Sequence, residues 1–289
     1  MLIAKDWTDY ELLDAGGGER LERWGGYILR RPDPQVIWPA RSKSGLWAKA
    51  DAQYHRSTKG GGTWEYKSKL PERWTISYKD LSFHVKPTGF KHTGLFPEQS
   101  VNWDWIIEKI RNTESPVKVI NLFAYTGAAS VAAAYAGAEV CHIDAAKGMV
   151  NWAKENLELS GLGDHPARFI TDDVIKFVKR EKRRGRKYDA VIMDPPSYGR
   201  GPSGEVWKIE DELYGLVEEC AGIMSDKPLF FLVNTYTTGF SPEIIGNILN
   251  LIVQEKFGGK VGTGEVGLPI GDSGLNLPCG LFGRWEMTK

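Results

Sequence analysis

The hydrophobic positions of this chain follow two different rhythms. From residue 1 to about 95, apolar and polar side chains alternate in short runs such as WTISY (Trp74–Tyr78) and LSFHV (Leu81–Val85). Glycine, proline and charge clusters separate the runs, which is the pattern of β-hairpins. TKGGGTWEY, residues 58–66, reads as a flexible loop entering a strand. QSVNWDWIIEKIRN then predicts a helix, and the rhythm changes to short apolar runs alternating with longer amphipathic ones. Strands are predicted at 117–122, 140–143, 168–170, 190–193 and 229–233. The helices run to about 135, over 147–159, to about 183, over about 207–224, and over 242–255. Such alternation implies a parallel sheet covered on both faces. Two last strands, 260–266 and 281–287, have no helix between them and predict an antiparallel pair at one edge. The fold class is α/β with a small β-rich N-terminal domain, divided as 1–95 and 96–289.

Ligands of open parallel sheets bind beyond the carboxyl ends of the strands, where strand order reverses. The first strand runs into NLFAYTGAAS, which offers Asn121, Phe123, Tyr125, Thr126 and Gly127, with Ser130 inside the next helix. Gly127 can form a tight turn that opens the backbone to a ligand. The second strand ends at Asp144, 23 residues after Asn121, where an acid hydrogen-bonds ribose hydroxyls. TDDV after the third strand places Asp172 and Asp173 to accept from an adenine amino group, and the fourth strand ends in Asp194. Each acid alone reads equally well as a helix N-cap. Acids after three successive strands argue for a nucleotide. The first loop has only Gly127 where a dinucleotide fold has GxGxxG for a pyrophosphate. S-adenosylmethionine has no pyrophosphate and suits this loop; a nicotinamide dinucleotide is the minor alternative.

NLFAYTG, Asp144, the Asp172–Asp173 pair and DPPSYGRG together resemble the class I methyltransferases that modify large-subunit ribosomal RNA, most closely the cytosine-C5 branch. KHTGLFPEQ, residues 91–99, is similar to that group's TG-aromatic-x-x-D-Q segment, with Pro97–Glu98 in place of Leu–Asp, and adds Gln99 to the donor-site candidates. The resemblance covers about residues 83–240; the first 80 residues do not match that branch's N-terminal domain. It implies a seven-stranded Rossmann-like methyltransferase sheet, S-adenosylmethionine as donor, and a base of RNA as acceptor.

The DPPS turn fits methyl transfer physically. Asp194 can accept a hydrogen bond from a base amino or ring N–H, while Pro195 and Pro196 lack N–H groups, fix φ and aim their carbonyls at a second base proton. A capped strand end is the bland alternative. In DPPY enzymes the fourth-place aromatic stacks on the flipped base; here Ser197 holds that place and Tyr198 follows it. Cytosine-C5 chemistry needs a thiolate nucleophile, and NTYTT after the fifth strand has no cysteine, with Cys279 a remote substitute. Nitrogen methylation is therefore favoured over C5. Lys208 in GEVWKIE reads either as a phosphate contact or as a solvated helix lysine.

Composition narrows the partners. The 289 residues are 42% apolar and 26% charged, and 37 Lys and Arg balance 37 Asp and Glu. With no global field, any nucleic-acid site must be local. Three widely spaced cysteines argue against a disulfide framework or a zinc site, so no metal is expected. No apolar run approaches a bilayer span and MLIAKDWTDYELL lacks a signal-peptide core. The expectation is a cytoplasmic protein with no membrane partner; a homodimer is left open. Residues 176–187, KFVKREKRRGRK, hold eight cations and one acid, but at the amino end of the fourth strand, and read mainly as a solvated helix face. The better RNA candidate is the N-terminal mixture of Trp7, Trp24, Trp38, Trp47, Trp64 and Trp74 with Arg20, Arg23, Arg30, Arg31, Arg41, Lys43, Arg56 and Lys59. Its bland reading is the core of a small β domain. Two alternatives stand beside an RNA methyltransferase: a non-catalytic RNA-binding protein on this fold, and a methyltransferase of small molecules or proteins with the N-terminal domain as a lid.

Overall fold

The computed structural model describes residues 1–39, 45–57, 61–200 and 206–288. Arg41, Lys43, Lys59 and the glycine-rich stretch 201–204 lie outside the described residues. Contacts divide the chain into two compact units, Met1–Val101 with Gly267–Cys279, and Asn102–Val266 with Gly280–Lys289.

The first unit contains β1 (Leu2–Ile3), β2 (Tyr10–Gly16), β3 (Glu19–Trp24), β4 (Tyr27–Pro32), β5 (Ala52–Arg56), β6 (Gly62–Tyr66), β7 (Trp74–Tyr78) and β8 (Leu81–Val85). Strands β2 to β6 form one sheet in sequence order, antiparallel except for the β4–β5 pair. Strands β7 and β8 make a separate hairpin. Gly17 and Gly18 turn β2 into β3 with φ of 61° and 81°, as a tight hairpin requires. Leu12, Leu21, Trp24, Leu29, Ile76 and Phe83 are fully buried.

A charged cluster is buried in this unit. Arg31 grips Glu22 with two bonds, Nε to Oε2 at 2.6 Å and Nη2 to Oε1 at 2.7 Å, and the Tyr10 hydroxyl donates to Oε1 at 2.8 Å. Arg20 pairs with Asp33 at 3.0 Å and approaches Glu22 at 3.7 Å. Burial alone would raise the Glu22 carboxyl; Arg31 and Arg20 outweigh it and hold it at about 2. Arg23 and Arg30 pair with Glu11 and Glu19. Trp24 is core, and the other five N-terminal tryptophans are half-buried. Trp7, Trp38, Trp47, Trp64 and Trp74 each give the indole N–H to a protein acceptor within 3.0 Å. The aromatic and cationic pattern expected to meet RNA is thus largely engaged inside the unit, where Arg20, Arg23, Arg30 and Arg31 each pair with a glutamate or aspartate.

The second unit alternates α1 (Ser100–Arg111), β9 (Lys118–Leu122), α2 (Ala128–Tyr135), β10 (Glu139–Asp144), α3 (Lys147–Leu159), β11 (Ala167–Thr171), α4 (Val174–Arg183) and β12 (Ala190–Met193). It continues with a small hairpin of β13 (Tyr198–Arg200) and β14 (Val206–Lys208), then α5 (Ile209–Ile223), β15 (Phe230–Thr235), α6 (Pro242–Leu249), β16 (Lys260–Pro269) and β17 (Asn276–Glu286), with 267–269 of β16 and 276–279 of β17 counted in the first unit. The sheet order is β16-β17-β15-β12-β9-β10-β11. The five inner strands run parallel and β17 lies antiparallel to β15. Every residue of β12 and β15 is buried, as expected for strands covered on both faces. One face packs Ile120, Cys141, Val191, Met193 and Phe231 against Phe177 of α4 and Leu213, Leu216 and Val217 of α5.

The seven expected strands are present, and β1 adds an eighth on β16, where Ala4 N donates to Gly267 O at 3.0 Å. Two residues are too few to leave an alternation in the sequence. The helix expected from 207 begins at Ile209, because Val206–Lys208 pairs with Tyr198–Arg200 instead. The helix expected over 242–255 stops at Leu249 and passes through a π turn, Asn250–Gln254. No helix among the described residues is long and apolar enough to cross a membrane.

Glu22→Gln is expected to destabilise the protein by roughly 3 kcal/mol, since it leaves buried guanidinium groups without their counter-charge. The folded Glu22 carboxyl lies below its ordinary value of 4.5, so its contribution is present above that pH and is lost as pH falls from about 4.5 toward about 2. Chemical denaturation across that window should show the acid-side slope in the native protein and a shallower one in the variant.

Candidate active site

Strand order reverses between β9 and β12, and the crevice of such a sheet opens beyond the carboxyl ends at that point. Met193 lies opposite Leu122 in the register, and Asp194 N donates to Leu122 O at 3.3 Å. The loop after β9 and the turn after β12 therefore leave the sheet side by side.

The loop after β9 has an unusual backbone. Phe123, Tyr125 and Gly127 all adopt left-handed conformations, with φ of 53°, 50° and 83°. For a residue with a Cβ this costs on the order of 1 kcal/mol, and such strain persists where surrounding bonds enforce it, often at functional sites. The enforcing bonds are visible. Ala124 N donates to Ile143 O at 3.0 Å, Tyr125 N to Asp144 Oδ2 at 2.9 Å, and Asn156 Nδ2 to Thr126 O at 2.8 Å. Beneath the loop, Asn121 Nδ2 donates to Ser130 Oγ at 2.9 Å, and Ser130 meets His142 Nδ1 at 3.0 Å. Burial holds His142 at about 3, so the ring is neutral, and its Nδ1 is the nitrogen that meets Ser130. Gly127 meets a second demand besides its φ: a Cβ there would stand 2.6 Å from the Cβ of Ala153 on α3.

Asp144 ends β10 half-buried, with Oδ2 taken by Tyr125 N and Oδ1 by Ala146 N at 2.8 Å. An ionised carboxylate has about four acceptor positions, so both oxygens can take a further donor. Burial lifts this carboxyl above the usual range and the two N–H bonds pull against that lift. The acids after β11 are used within the fold. Asp173 is the N-cap of α4, accepting from Lys176 N at 2.8 Å, while Asp172 takes Asp173 N on one oxygen and pairs with Arg180 through the other. Gln99 belongs to the first unit, buried in the short turn Pro97–Gln99.

In the turn after β12, Asp194 is half-buried, Pro195 is buried, and Pro196, Ser197 and Tyr198 are exposed. Ser197 Oγ and Thr237 Oγ1 are 2.7 Å apart, and Thr235 Oγ1 donates to Thr237 Oγ1 at 2.9 Å, a hydroxyl chain from the end of β15. Trp207 was not among the residues singled out from sequence. Its Nε1 donates to Pro196 O at 2.5 Å, and its ring lies 5.1 Å from that of Phe123 at 53°. The Pro196 carbonyl, expected to await a base proton, is therefore engaged by an indole. Tyr198 faces Lys208 across the small hairpin with its side chain half exposed. A turn-rich GRGPSG between two short aromatic segments is a hairpin signal, and it would have moved Trp207 out of the helix. Cys141, Cys220 and Cys279 are buried free thiols, each pushed up by burial, and Cys279 lies in the first unit.

Gly127→Ala should lose about 2–3 kcal/mol, from the left-handed φ and the collision with Ala153. Gly148→Ala, in α3 with nothing within 4 Å of its added Cβ, should change stability by less than about 1 kcal/mol. Thermal denaturation of the pair checks both.

Comparison with known proteins meets this geometry. The family model for S-adenosylmethionine-dependent methyltransferases matches residues 39–209, more than half of the chain. The crystal structure of a SAM-dependent methyltransferase from Agrobacterium tumefaciens superposes with a TM-score of 0.94 at 38% identity, covering 99% of this chain and 93% of that one. Among curated proteins, ribosomal RNA large subunit methyltransferase K of Neisseria meningitidis serogroup B is 24% identical over 80% of this chain and 65% of its own length. Ribosomal RNA large subunit methyltransferase K/L of Shewanella frigidimarina is 36% identical over 44% of this chain, which spans only 17% of that longer protein. The family-model match over more than half of the chain, together with the 38% identical Agrobacterium structure on this same fold, shows that the chain belongs to the S-adenosylmethionine-dependent methyltransferases, with S-adenosylmethionine as its methyl donor.

Proposed function

We propose that this enzyme methylates a base of large-subunit ribosomal RNA, at a nitrogen rather than at cytosine C5. The observation that carries the reading is the juxtaposition of the β9 loop and the Asp194–Pro195–Pro196–Ser197 turn through the Met193–Leu122 register. The Neisseria and Shewanella relatives support the substrate class by name. All three thiols are buried and raised, which disfavours the thiolate attack that C5 transfer requires. We place the enzyme in the cytoplasm, where such RNA is made and assembled.

The donor-side residues are Asn121, Phe123, Tyr125, Thr126, Gly127 and Asp144, with Asp172, Asp173 and Gln99 as outer candidates. Asp144 fits a ribose diol, since its spare acceptor positions match two hydroxyl donors and ligand hydrogen bonds would offset its burial. Bound S-adenosylmethionine supplies a methyl group on a sulfonium. Asp194 accepts a hydrogen bond from the acceptor amine, keeps its lone pair aimed at the donor, and takes the proton released on transfer. The Pro195 carbonyl accepts a hydrogen bond from the second amine N–H. Trp207 touches both the donor loop and the acceptor turn, so it replaces Tyr198 as the stacking residue for a flipped base. A small-molecule substrate is the second reading, favoured by the internal pairing of Arg20, Arg23, Arg30 and Arg31.

The test is transfer of labelled methyl to an unmodified transcript of large-subunit ribosomal RNA, with nucleoside mass spectrometry to identify the product. Asp194→Ala should cut kcat by at least about 100-fold with donor affinity within a few-fold, whereas Asp144→Ala should weaken donor binding by about tenfold or more. A loss of donor affinity in Asp194→Ala equal to its loss of rate would sink the assigned role. Trp207→Ala should lower kcat/KM for RNA by about tenfold, with Tyr198→Ala near the parent enzyme, in line with stacking of about 1–3 kcal/mol per base. The reverse order would return stacking to Tyr198.

A further inference from the structure

A cavity of about 570 Å³ opens at the opposite end of the sheet from the transfer site. Lys118 at the start of β9, Arg168 on β11, and Arg186 and Lys187 before β12 line it, with Glu139 as its one acid and Tyr188 in its wall. Four cations from three segments therefore line it beside one lining carboxylate, with Glu181 behind Arg168 and Asp189 on the Lys118 backbone N–H. Their elements run through the sheet, so a strand of four to six residues, roughly 15 Å at about 3.3 Å per residue, separates this end from the β9–β12 crevice.

The wall is organised from behind. Glu181 of α4 is fully buried, and it accepts from the Tyr188 hydroxyl at 2.6 Å, from Arg184 Nη1 at 3.1 Å and from Arg168 Nη1 at 3.4 Å. Burial alone would raise this carboxyl; the Tyr188 and Arg184 bonds hold it below the usual range. The ionised carboxylate fixes Arg168 at the cavity rim. No acid stands within ion-pair distance of Lys118, Arg186 or Lys187 among the described residues, and Lys187 Nζ reaches only Gly222 O at 3.1 Å. This is the reverse of the first unit, where arginines are matched to acids. It also divides the basic run 176–187: Arg180, Lys182 and Arg184 are paired to Asp172, Glu219 and Glu181, while Arg186 and Lys187 are not.

We propose that this cleft binds the phosphate backbone of the RNA substrate, a grip remote from the methylated base; the proposal rests on the ribosomal RNA reading above. The register sets Lys118 level with Glu139 and Arg168 level with Cys141, so their backbones stand about 12 Å apart across β9, β10 and β11. Cations spread over that width and over three segments can meet successive phosphates, which suits a polyanion. The one aromatic in the lining, Tyr188, is buried and has its hydroxyl bound to Glu181. With no exposed ring to stack on, the cleft reads phosphates and not bases.

The test uses the full-length protein, the same ribosomal RNA transcript and the double variant Lys118→Glu/Arg186→Glu. Expected is at least about tenfold weaker RNA binding at fixed salt, and a salt slope shallower by about 1.4–1.8 for two lost contacts, with S-adenosylmethionine affinity unchanged. Unchanged RNA affinity and slope in a variant that still binds donor overturns the cleft while leaving the RNA reading in place. If the parent protein itself shows no salt-dependent RNA binding, that reading and this one fall together. Should the charge reversal lose donor binding through misfolding, Lys118→Gln/Arg186→Gln decides instead, with a smaller weakening in the same direction expected and no weakening overturning the proposal.

Discussion

The register between β9 and β12 is the constraint on which the second unit of this protein depends. Setting Met193 opposite Leu122 fixes where two loops leave the sheet, and the Asp194 N to Leu122 O bond ties the second loop to the end of the first strand. A slip of one residue would turn every side chain of β12 to the other face and carry Asp194 away from the loop at Phe123. The buried, wholly apolar β12 prevents such a slip, because both of its faces are packed. Stability and positioning are here the same property of four residues.

The loop after β9 shows how strain is retained. Phe123 and Tyr125 stay left-handed in a loop whose Ala124 and Tyr125 N–H groups and Thr126 carbonyl are committed to Ile143, Asp144 and Asn156. Beneath them, the neutral His142 and the Ser130–Asn121 pair form a polar layer between β9, α2 and β10. Burial of that layer favours the uncharged ring, so its charge stays the same as pH falls toward about 3.

Much of the second unit was legible in the sequence, and the misses have physical causes. Strands such as Ala190–Met193 and the helix Lys147–Leu159 stand where apolar periodicity put them, since parallel strands and amphipathic helices each leave a strong local pattern. The ends of β9, β10 and β12 followed from the same pattern, and with them Asn121, Gly127, Asp144 and Asp194. Trp207 escaped because three-residue strands leave no periodicity and a helix starts directly after it. The N-terminal arginines are ambiguous in the sequence for a different reason. A row of Arg and Trp looks the same whether its partners are phosphates or glutamates across a sheet, and only the fold shows Arg31 on Glu22 or Arg30 on Glu19. Asp173 was ambiguous between cap and ligand at the level of sequence, and its bond to Lys176 N gives it the cap geometry.

The close approach of Gly127 to Ala153 joins two positions that lie 26 residues apart in the chain. Neither can enlarge unless α3 withdraws, and α3 is held in turn by Asn156 on the Thr126 carbonyl. Related sequences are therefore expected to vary at these two positions together or not at all. A larger residue at 153 marks a lineage in which the loop after β9 has been rebuilt, and a change of donor or of acceptor is most readily sought there.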